Sequence, residues 1–326
     1  MNQLEKKFLG QLKTRKLVAR GDKVLAAVSG GPDSIAMLLL LHAVQPAIHF
    51  ELAAAHCNFS LRGRESDDDE RFVTEFCSSL DVPCFSVRFD TGMAAAEMKK
   101  SIEESARILR YRFFETLAAQ NGFTRIATGH HVSDNAETLL FNLFRGVSLP
   151  GLVGIREHNG RIIRPMLLFH KEDIRSYLRE KGVDAREDSS NALDEYDRNF
   201  IRNRVIPLIE ERFAHKLLPS LSRLSVQAGE LEEFLELHFE ELAFREPGLV
   251  FQDNQLEVQA LKRLTVFEQK EIFKRALREI GAPVDSRTLQ KLADLLQSSP
   301  GKTVLAGRKL TVQWKGSRLH FKMDKT

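Results

Sequence analysis

Short apolar runs alternate with longer amphipathic segments along the first half of the chain. Uninterrupted apolar runs of this length are typical of strands buried on both faces of a parallel sheet. The clearest is residues 24–28, and further strands are predicted at residues 50–56, 84–89 and 125–128. Helices are predicted between and after them, at residues 35–43, 64–80, 101–120 and 133–144. This order predicts an α/β fold with a doubly wound parallel sheet, in which ligands bind beyond the carboxyl ends of the strands.

The last third of the chain has a different pattern. Helices are predicted at residues 217–242, 261–281 and 286–297, and a terminal β-hairpin at 308–314 and 318–322. Residues 186–203 are polar and read as irregular, and Pro207 and Pro219 follow them. We therefore expect two domains, residues 1–212 and a smaller, mainly helical domain of residues 213–326.

Composition narrows the class of protein. The 326 residues contain no apolar run near the ~20 residues of a membrane span, and the first residues lack a signal-peptide core. Cys57, Cys77 and Cys84 form no Cys-x-x-Cys pair, so we expect a reduced, cytoplasmic protein with no membrane partner. The net charge is only +3, but residues 301–326 are rich in lysine and arginine, which makes them a candidate basic surface or a merely solvated face.

The first candidate site is the glycine turn that follows the first strand. It reads Ser29-Gly30-Gly31-Pro32-Asp33-Ser34. A strand, a glycine turn and a helix N-terminus present free backbone N–H groups to an anion, and the hydroxyls and the Asp33 carboxylate add ligands for phosphate and Mg²⁺. No lysine follows the glycines, so this is not a Walker-type loop. The alternative is an ordinary strand-to-helix turn.

The second candidate is the segment that begins with Gly129, His130 and His131. Asp134 and Glu137 follow three residues apart and share one face of a helix. The sequence alone leaves three interpretations open: a metal site, a capped helix with solvated acids, or a pocket for a substrate amine.

Arginines form the third group of candidates. Arg107 and Arg110, with Tyr111, lie on one predicted helix and form either a surface pair or a phosphate contact. Further on, residues 187–191 precede an arginine- and asparagine-rich stretch that includes Arg202, which favours a ligand-facing role.

These segments, in this order, resemble the tRNA(Ile)-lysidine synthetase family of pyrophosphate-loop (PP-loop) ATPases. The resemblance lies in the glycine turn and in His56-Cys57-Asn58-Phe59-Ser60-Leu61-Arg62, residues 104–111, 127–138, Arg145-Gly146, Gly151-Leu152, Arg164-Pro165, 187–191 and 198–207. It covers about the first two-thirds of the chain; the rest resembles the family's tRNA-binding domain more loosely. The resemblance implies an adenine nucleotide α-hydrolase-like fold.

The resemblance also implies a reaction: ATP adenylates the C2 oxygen of the wobble cytidine of tRNA(Ile) with a CAU anticodon, releasing pyrophosphate, and L-lysine then attacks C2 and displaces AMP to give lysidine. Ser29, Gly30, Gly31, Pro32, Asp33 and Ser34 would hold ATP, with Asp33 on Mg²⁺. Asp134 and Glu137 would bind lysine. Arg110, His130 and Arg202 would contact the nucleotide or the adenylated intermediate. The sequence does not define the oligomeric state, and a homodimer stays an open expectation.

The chain departs from the family pattern at a few loop positions, where local contacts are in doubt. The positions are Cys57, Phe59, Val147, Ser148 and Pro150. Two rivals are weaker: a tRNA thiolase would need paired cysteines, and a non-catalytic RNA-binding module would not need Asp33, Asp134 and Glu137.

Overall fold

A computed structural model of the chain describes residues 1–146, 149–186, 197–306 and 310–323. The chain forms two compact units, Met1–Gly229 and Glu230–Thr326. The division between them falls within one helix, Leu217–Arg245. The domain boundary expected at residues 212 and 213 precedes this helix and stays a prediction.

The first unit is built on a six-stranded sheet with the order β3-β2-β1-β4-β6-β5. The strands are β1 Lys23–Ala27, β2 Glu51–Asn58, β3 Cys84–Arg88, β4 Arg125–Ala127, β5 His158–Asn159 and β6 Ile162–Ile163. All neighbouring pairs are parallel except β5 with β6. The predicted α/β fold with a mainly parallel sheet is confirmed.

Helices cover both faces of this sheet. They are α1 Gln3–Thr14, α2 Pro32–Ile48, α3 Arg64–Ser79, α4 Thr91–Met98, α5 Ile102–Asn121, α6 Val132–Phe144, α7 Lys171–Lys181, α8 Asp197–Phe200 and α9 Ile206–Arg212. Successive residues of β1 point to opposite faces, so Val24 packs into the core beneath α2 while Leu25 packs with Phe114 of α5. This double burial explains why residues 24–28 form a continuous apolar run.

The strand order reverses next to β1. The chain passes from β1 through α2 to β2 on one side, whereas β4 lies on the other side. The loops that leave β1 and β4 therefore diverge at a topological switch point, where doubly wound folds bind their ligands. Both segments singled out in the sequence, residues 29–34 and residues 129–137, start at this point.

The second unit contains the end of helix α10 (Leu217–Arg245) and a four-stranded antiparallel sheet with the order β7-β10-β9-β8. Its remaining elements are β7 Gln255–Glu257, α11 Val258–Lys262, α12 Val266–Glu279, α13 Ser286–Leu296, β8 Thr303–Ala306, β9 Leu310–Lys315 and β10 Arg318–Met323. Phe273 and Leu292 pack with Val312 and Leu319 in its core. The expected hairpin is confirmed as β9 and β10, and it is part of a larger sheet.

The segment that begins at Asp197 is more regular than expected. Residues 186–203 were expected to be irregular, but from Asp197 onward the chain is helical: α8 runs into a π-helical turn, Ile201–Val205, and then α9. No helix among the described residues has the length and apolar character needed to cross a bilayer.

Candidate active site

The turn after β1 is closed by Ser34. The Ser29 amide donates a hydrogen bond to Ser34 Oγ at 3.1 Å, and that hydroxyl donates to the Gly31 carbonyl at 2.9 Å. Gly30 has a φ of +97°, a conformation that only glycine adopts without strain. Gly31 is the N-cap of α2 and Pro32 its first residue. The predicted strand, glycine turn and helix N-terminus are therefore present.

Two neighbouring residues, His56 and Arg186, hold this turn in place. The buried His56 ring contacts the Val28 carbonyl through Nδ1 at 2.8 Å, and burial lowers the pKa of His56, which favours the neutral ring. The Arg186 amide donates to the Gly30 carbonyl at 3.2 Å, and its guanidinium pairs with Asp69 at 2.6 Å. The turn is thus fixed by side chains from β2 and α3 as well as by its own bonds.

The loop after β4 touches the start of α2 through Gly129. A Cβ at Gly129 would lie 3.1 Å from the Asp33 carbonyl oxygen and 3.2 Å from the Ser34 nitrogen. Those atoms belong to the backbone and cannot yield as a flexible side chain would. A hydrogen atom is therefore required at this position, and it lets the two candidate segments meet.

Beyond this contact, His131 joins the two segments electrostatically. Its Nε2 lies 3.6 Å from Asp33 Oδ2, and its Nδ1 accepts a hydrogen bond from the Ser133 amide at 3.2 Å, so the ring caps α6. Asp134 completes the cap by accepting from the His131 amide at 2.9 Å. Burial alone would lower the pKa of His131, but the bond to Asp33 and the charge of Asp134 raise it above its usual value.

Asp33 responds in the opposite direction. Burial acts to raise its pKa, but the polar contact with His131, 3.6 Å away, and the charge of that ring outweigh burial and lower it. Its other oxygen, Oδ1, is buried and has no hydrogen-bond partner among the described residues. A buried carboxylate oxygen with no donor is suited to a hard cation such as Mg²⁺, so the residues present fit the expected metal.

Arg202 binds the two acids of α6. Its guanidinium donates to both oxygens of Glu137, at 2.6 and 2.8 Å, and approaches Asp134 Oδ1 at 3.5 Å. Burial raises the pKa of Glu137 and Arg202 opposes that rise, while the bond to Glu137 raises the pKa of Arg202. A cation thus already occupies the position where two carboxylates converge, which shows that this position accepts one.

His130 is adjacent to this network but does not join it. Its Nδ1 lies 3.0 Å from Thr128 Oγ1. Burial lowers the pKa of His130 to about 4, so the ring is neutral near neutral pH and can exchange hydrogen bonds with a ligand.

Arg110 stands apart from the network that links Asp33 to Glu137. It lies on α5, and its guanidinium stands over the Phe59 ring at 5.1 Å. The structure therefore brings together the turn, Asp33, Asp134, Glu137 and Arg202, with His130 at the edge and Arg110 outside their hydrogen-bonded contacts.

The three interpretations of the His130 segment can now be compared. Among the described residues no group of three or more His, Cys, Asp and Glu side chains is arranged to hold a metal ion, and His131 is engaged in capping. The acids of α6 contact a guanidinium rather than only solvent. An amine pocket agrees best with this geometry.

Sequence reasoning overlooked several residues that build the site. His131 was considered only as a possible metal ligand, although a residue that directly precedes a helix start is a capping candidate. Asp69 binds Arg62 and Arg186 and so supports the turn, through long-range contacts that no local sequence pattern indicates. Val147, Ser148 and the motif at residues 187–191 lie outside the described residues.

Comparison with known proteins places these observations in a family. The model of the PP-loop domain family matches residues 2–209. A tRNA(Ile)-lysidine synthase of Chlorobaculum tepidum is 53% identical over 99% of this chain and 97% of its own length. One from Clostridium perfringens is 35% identical over 90% of this chain, and this chain spans 62% of that longer relative.

One solved structure shares the fold at low sequence identity. It is the U34-tRNA thiolase NcsA from Methanococcus maripaludis, determined with its 4Fe-4S cluster. It aligns with a TM-score of 0.55 and 16% identity over 68% of this chain and 79% of its own. This likeness supports the PP-loop fold.

Proposed function

The chain belongs to the tRNA(Ile)-lysidine synthase family, and on that premise we propose that it ligates L-lysine to C2 of the wobble cytidine of tRNA(Ile) with a CAU anticodon. It is a ligase with a PP-loop ATP-binding domain. One ATP is converted to AMP and pyrophosphate for each lysidine formed.

One observation carries the proposal: a continuous chain of contacts joins the glycine turn to the acid pair. It runs from Asp33 to His131, to Asp134 and through Arg202 to Glu137. A nucleotide site and an amine site within one network are what a two-step adenylation and amination reaction needs.

In the first step the C2 oxygen of cytosine attacks the α-phosphorus of ATP, and pyrophosphate leaves. This step converts a poor leaving group into a phosphoryl ester. The backbone of Gly30 and Gly31 and the hydroxyl of Ser29 would bind the phosphates at the N-terminus of α2. Asp33 would hold Mg²⁺, and the bound ion would supply positive charge to balance the pyrophosphate.

In the second step the lysine ε-nitrogen attacks C2, the bond from C2 to the adenylated oxygen breaks, and AMP leaves. Asp134 and Glu137 would bind the ε-ammonium, which replaces Arg202 beside Glu137. The amine must lose a proton, since its ordinary pKa is about 10.4. Glu137 is suited to accept it because burial raises its pKa.

The remaining roles follow from position. We assign His130, neutral at the edge of the network, to hydrogen bonding with the adenylated intermediate. Released from Glu137, Arg202 would stabilise the phosphate of the departing AMP. Arg110, exposed on α5, would contact the nucleotide or the RNA. Action in the cytoplasm agrees with a tRNA substrate and with free cysteines.

A homodimer is also proposed. The second unit exposes apolar side chains, Phe234, Leu237 and Phe244 of α10 among them. Such residues are suited to a protein interface. Light scattering of the purified chain, with a mass near twice 37.1 kDa as the expected result, tests this.

The activity is tested by incubating the chain with ATP, labelled lysine and a tRNA(Ile) transcript with a CAU anticodon, followed by nucleoside analysis. We expect labelled lysidine and stoichiometric AMP. A methionine tRNA transcript, which carries the same anticodon, is the control and should remain unlabelled. Release of pyrophosphate without any lysine attached to RNA would contradict the proposal.

A further inference from the structure

Helix α5 borders a cavity that the proposed reaction does not use. The cavity has a volume of about 540 Å³. Its lining side chains all come from that helix: Glu104, Arg107, Ile108, Tyr111, Arg112 and Glu115. Arg107 lies over the ring of Tyr111 at 4.9 Å, so a guanidinium and an aromatic face are presented together.

The charge of this cavity is not balanced by its own acids. Glu104 forms an ion pair with Lys100, and Glu115 forms one with Arg161 at 3.4 Å. In the part of the chain that the structure describes, Arg107 has no carboxylate within ion-pair distance. An open surface with unbalanced positive charge attracts anions.

A second arginine, Arg164, adds a buried charge beside Tyr111. It is only 8% exposed, its Nη1 donates to the Arg156 carbonyl at 2.7 Å, and its Nε has no partner among the described residues. Tyr111 is an interacting neighbour, and burial lowers the pKa of Arg164. A buried guanidinium without a carboxylate is costly unless an anion binds it.

The topology puts these groups next to the reacting centre. Arg164 directly follows β6, which pairs with β4, and His130 follows β4. Arg107 and Arg164 both act electrostatically on His130. The anion attracted here would therefore lie on the His130 side of the active site.

We propose that Arg107, Arg164 and Tyr111 form a phosphate-binding site for the RNA chain, engaging a phosphodiester beside the nucleotide that reacts. Guanidinium groups bind phosphate oxygens bidentately, and an aromatic side chain favours an unstacked base nearby. The inference rests on the proposed function in that RNA is the substrate. The same chemistry would suit a phosphate of ATP, and the test distinguishes these two sources.

The test compares Arg107→Gln with Arg71→Gln in the full chain. Arg71 is an exposed arginine of α3 paired with Asp68, so its replacement removes the same charge elsewhere. For Arg107→Gln we expect the Kd for the tRNA transcript to rise about tenfold. The slope of log K against log salt should fall by about 0.7 to 0.9. The KM for ATP should stay within about twofold, and Arg71→Gln should change neither quantity.

Two further variants make conservative changes, so that an effect on tRNA binding is not confused with a failure to fold. Arg164→Lys retains the charge but loses the bidentate guanidinium and should weaken tRNA binding, whereas Tyr111→Phe retains the aromatic ring and should not; ATP binding should be unchanged in both. An unchanged salt slope in Arg107→Gln, or a rise in the KM for ATP in place of the Kd for tRNA, would overturn the site. Because tRNA binding is measured apart from turnover, a wild-type chain that attached no lysine would refute the proposed function and still test this site.

Discussion

Replacing Glu137 with glutamine should separate the two chemical steps. Gln keeps the shape and one acceptor oxygen of the side chain but removes the charge that would hold the lysine ammonium. Because Glu137 is 4% exposed, water cannot substitute for that charge. Asp33 and the glycine turn are untouched, so adenylation should persist.

The size of the effect follows from the contacts. Glu137 binds a guanidinium through two short bonds, 2.6 and 2.8 Å, and an ammonium in the same place would make similar charge-assisted bonds. Such bonds contribute about 1.5–3 kcal/mol each. Loss of one corresponds to a rise in the KM for lysine of about 10- to 150-fold. The fold should tolerate the change, since Asp134 still approaches Arg202 and that side chain is 34% exposed.

Two assays check this. Pyrophosphate release with ATP and tRNA, without lysine, reports adenylation and should fall less than about threefold; lysine incorporation reports the second step. Glu51→Gln, which breaks an exposed ion pair with Lys23, is the control and should leave both unchanged. If Glu137→Gln loses pyrophosphate release as fully as lysine incorporation, the division of labour between the turn and the acid pair is wrong.

Three more predictions concern the turn and its supports. Asp33→Ala should lower AMP formation by about 10²- to 10³-fold, measured with saturating lysine and tRNA, and activity near the wild-type level would exclude Asp33 from the nucleotide site. Gly129→Ala should destabilise the chain by about 1–3 kcal/mol in urea unfolding and raise the KM for ATP, because the added Cβ meets the backbone of α2. The control Gly229→Ala has open space around the added Cβ and should not destabilise the chain. His131→Gln should lower Tm most between about pH 4 and 6.5. In that range, above the ordinary pKa of Asp and below that of His, the ion pair between His131 and Asp33 stabilises the fold fully. The stabilisation is lost as pH rises through the raised pKa of His131. A Tm difference that does not change with pH would refute the His131 prediction.

Local chemistry made much of the site predictable. The turn at residues 29–34 could be located because glycine and proline restrict the backbone within a few residues. The start of α6 was placed one residue late, because the cap is the imidazole of His131, an uncommon capping group. Strands β5 and β6 were not predicted because each has only two residues, too few to show an alternating pattern.

Contacts between distant residues were not predictable in the same way. Arg202 and Glu137 are 65 positions apart, and nothing in either segment specifies their pairing. The approach of Gly129 to α2 depends on the strand order, which follows from tertiary packing. The catalytic roles of Arg110 and His130 stay predictions.

In the proposed amine pocket, the guanidinium of Arg202 already pairs with Glu137 and approaches Asp134. Any cation that enters must displace this guanidinium, which is tethered to the chain and therefore present at high effective concentration. Abundant small cations and short diamines therefore bind there only weakly. Only a cation whose other groups also bind the protein can displace Arg202, so the pocket gains selectivity at the cost of affinity.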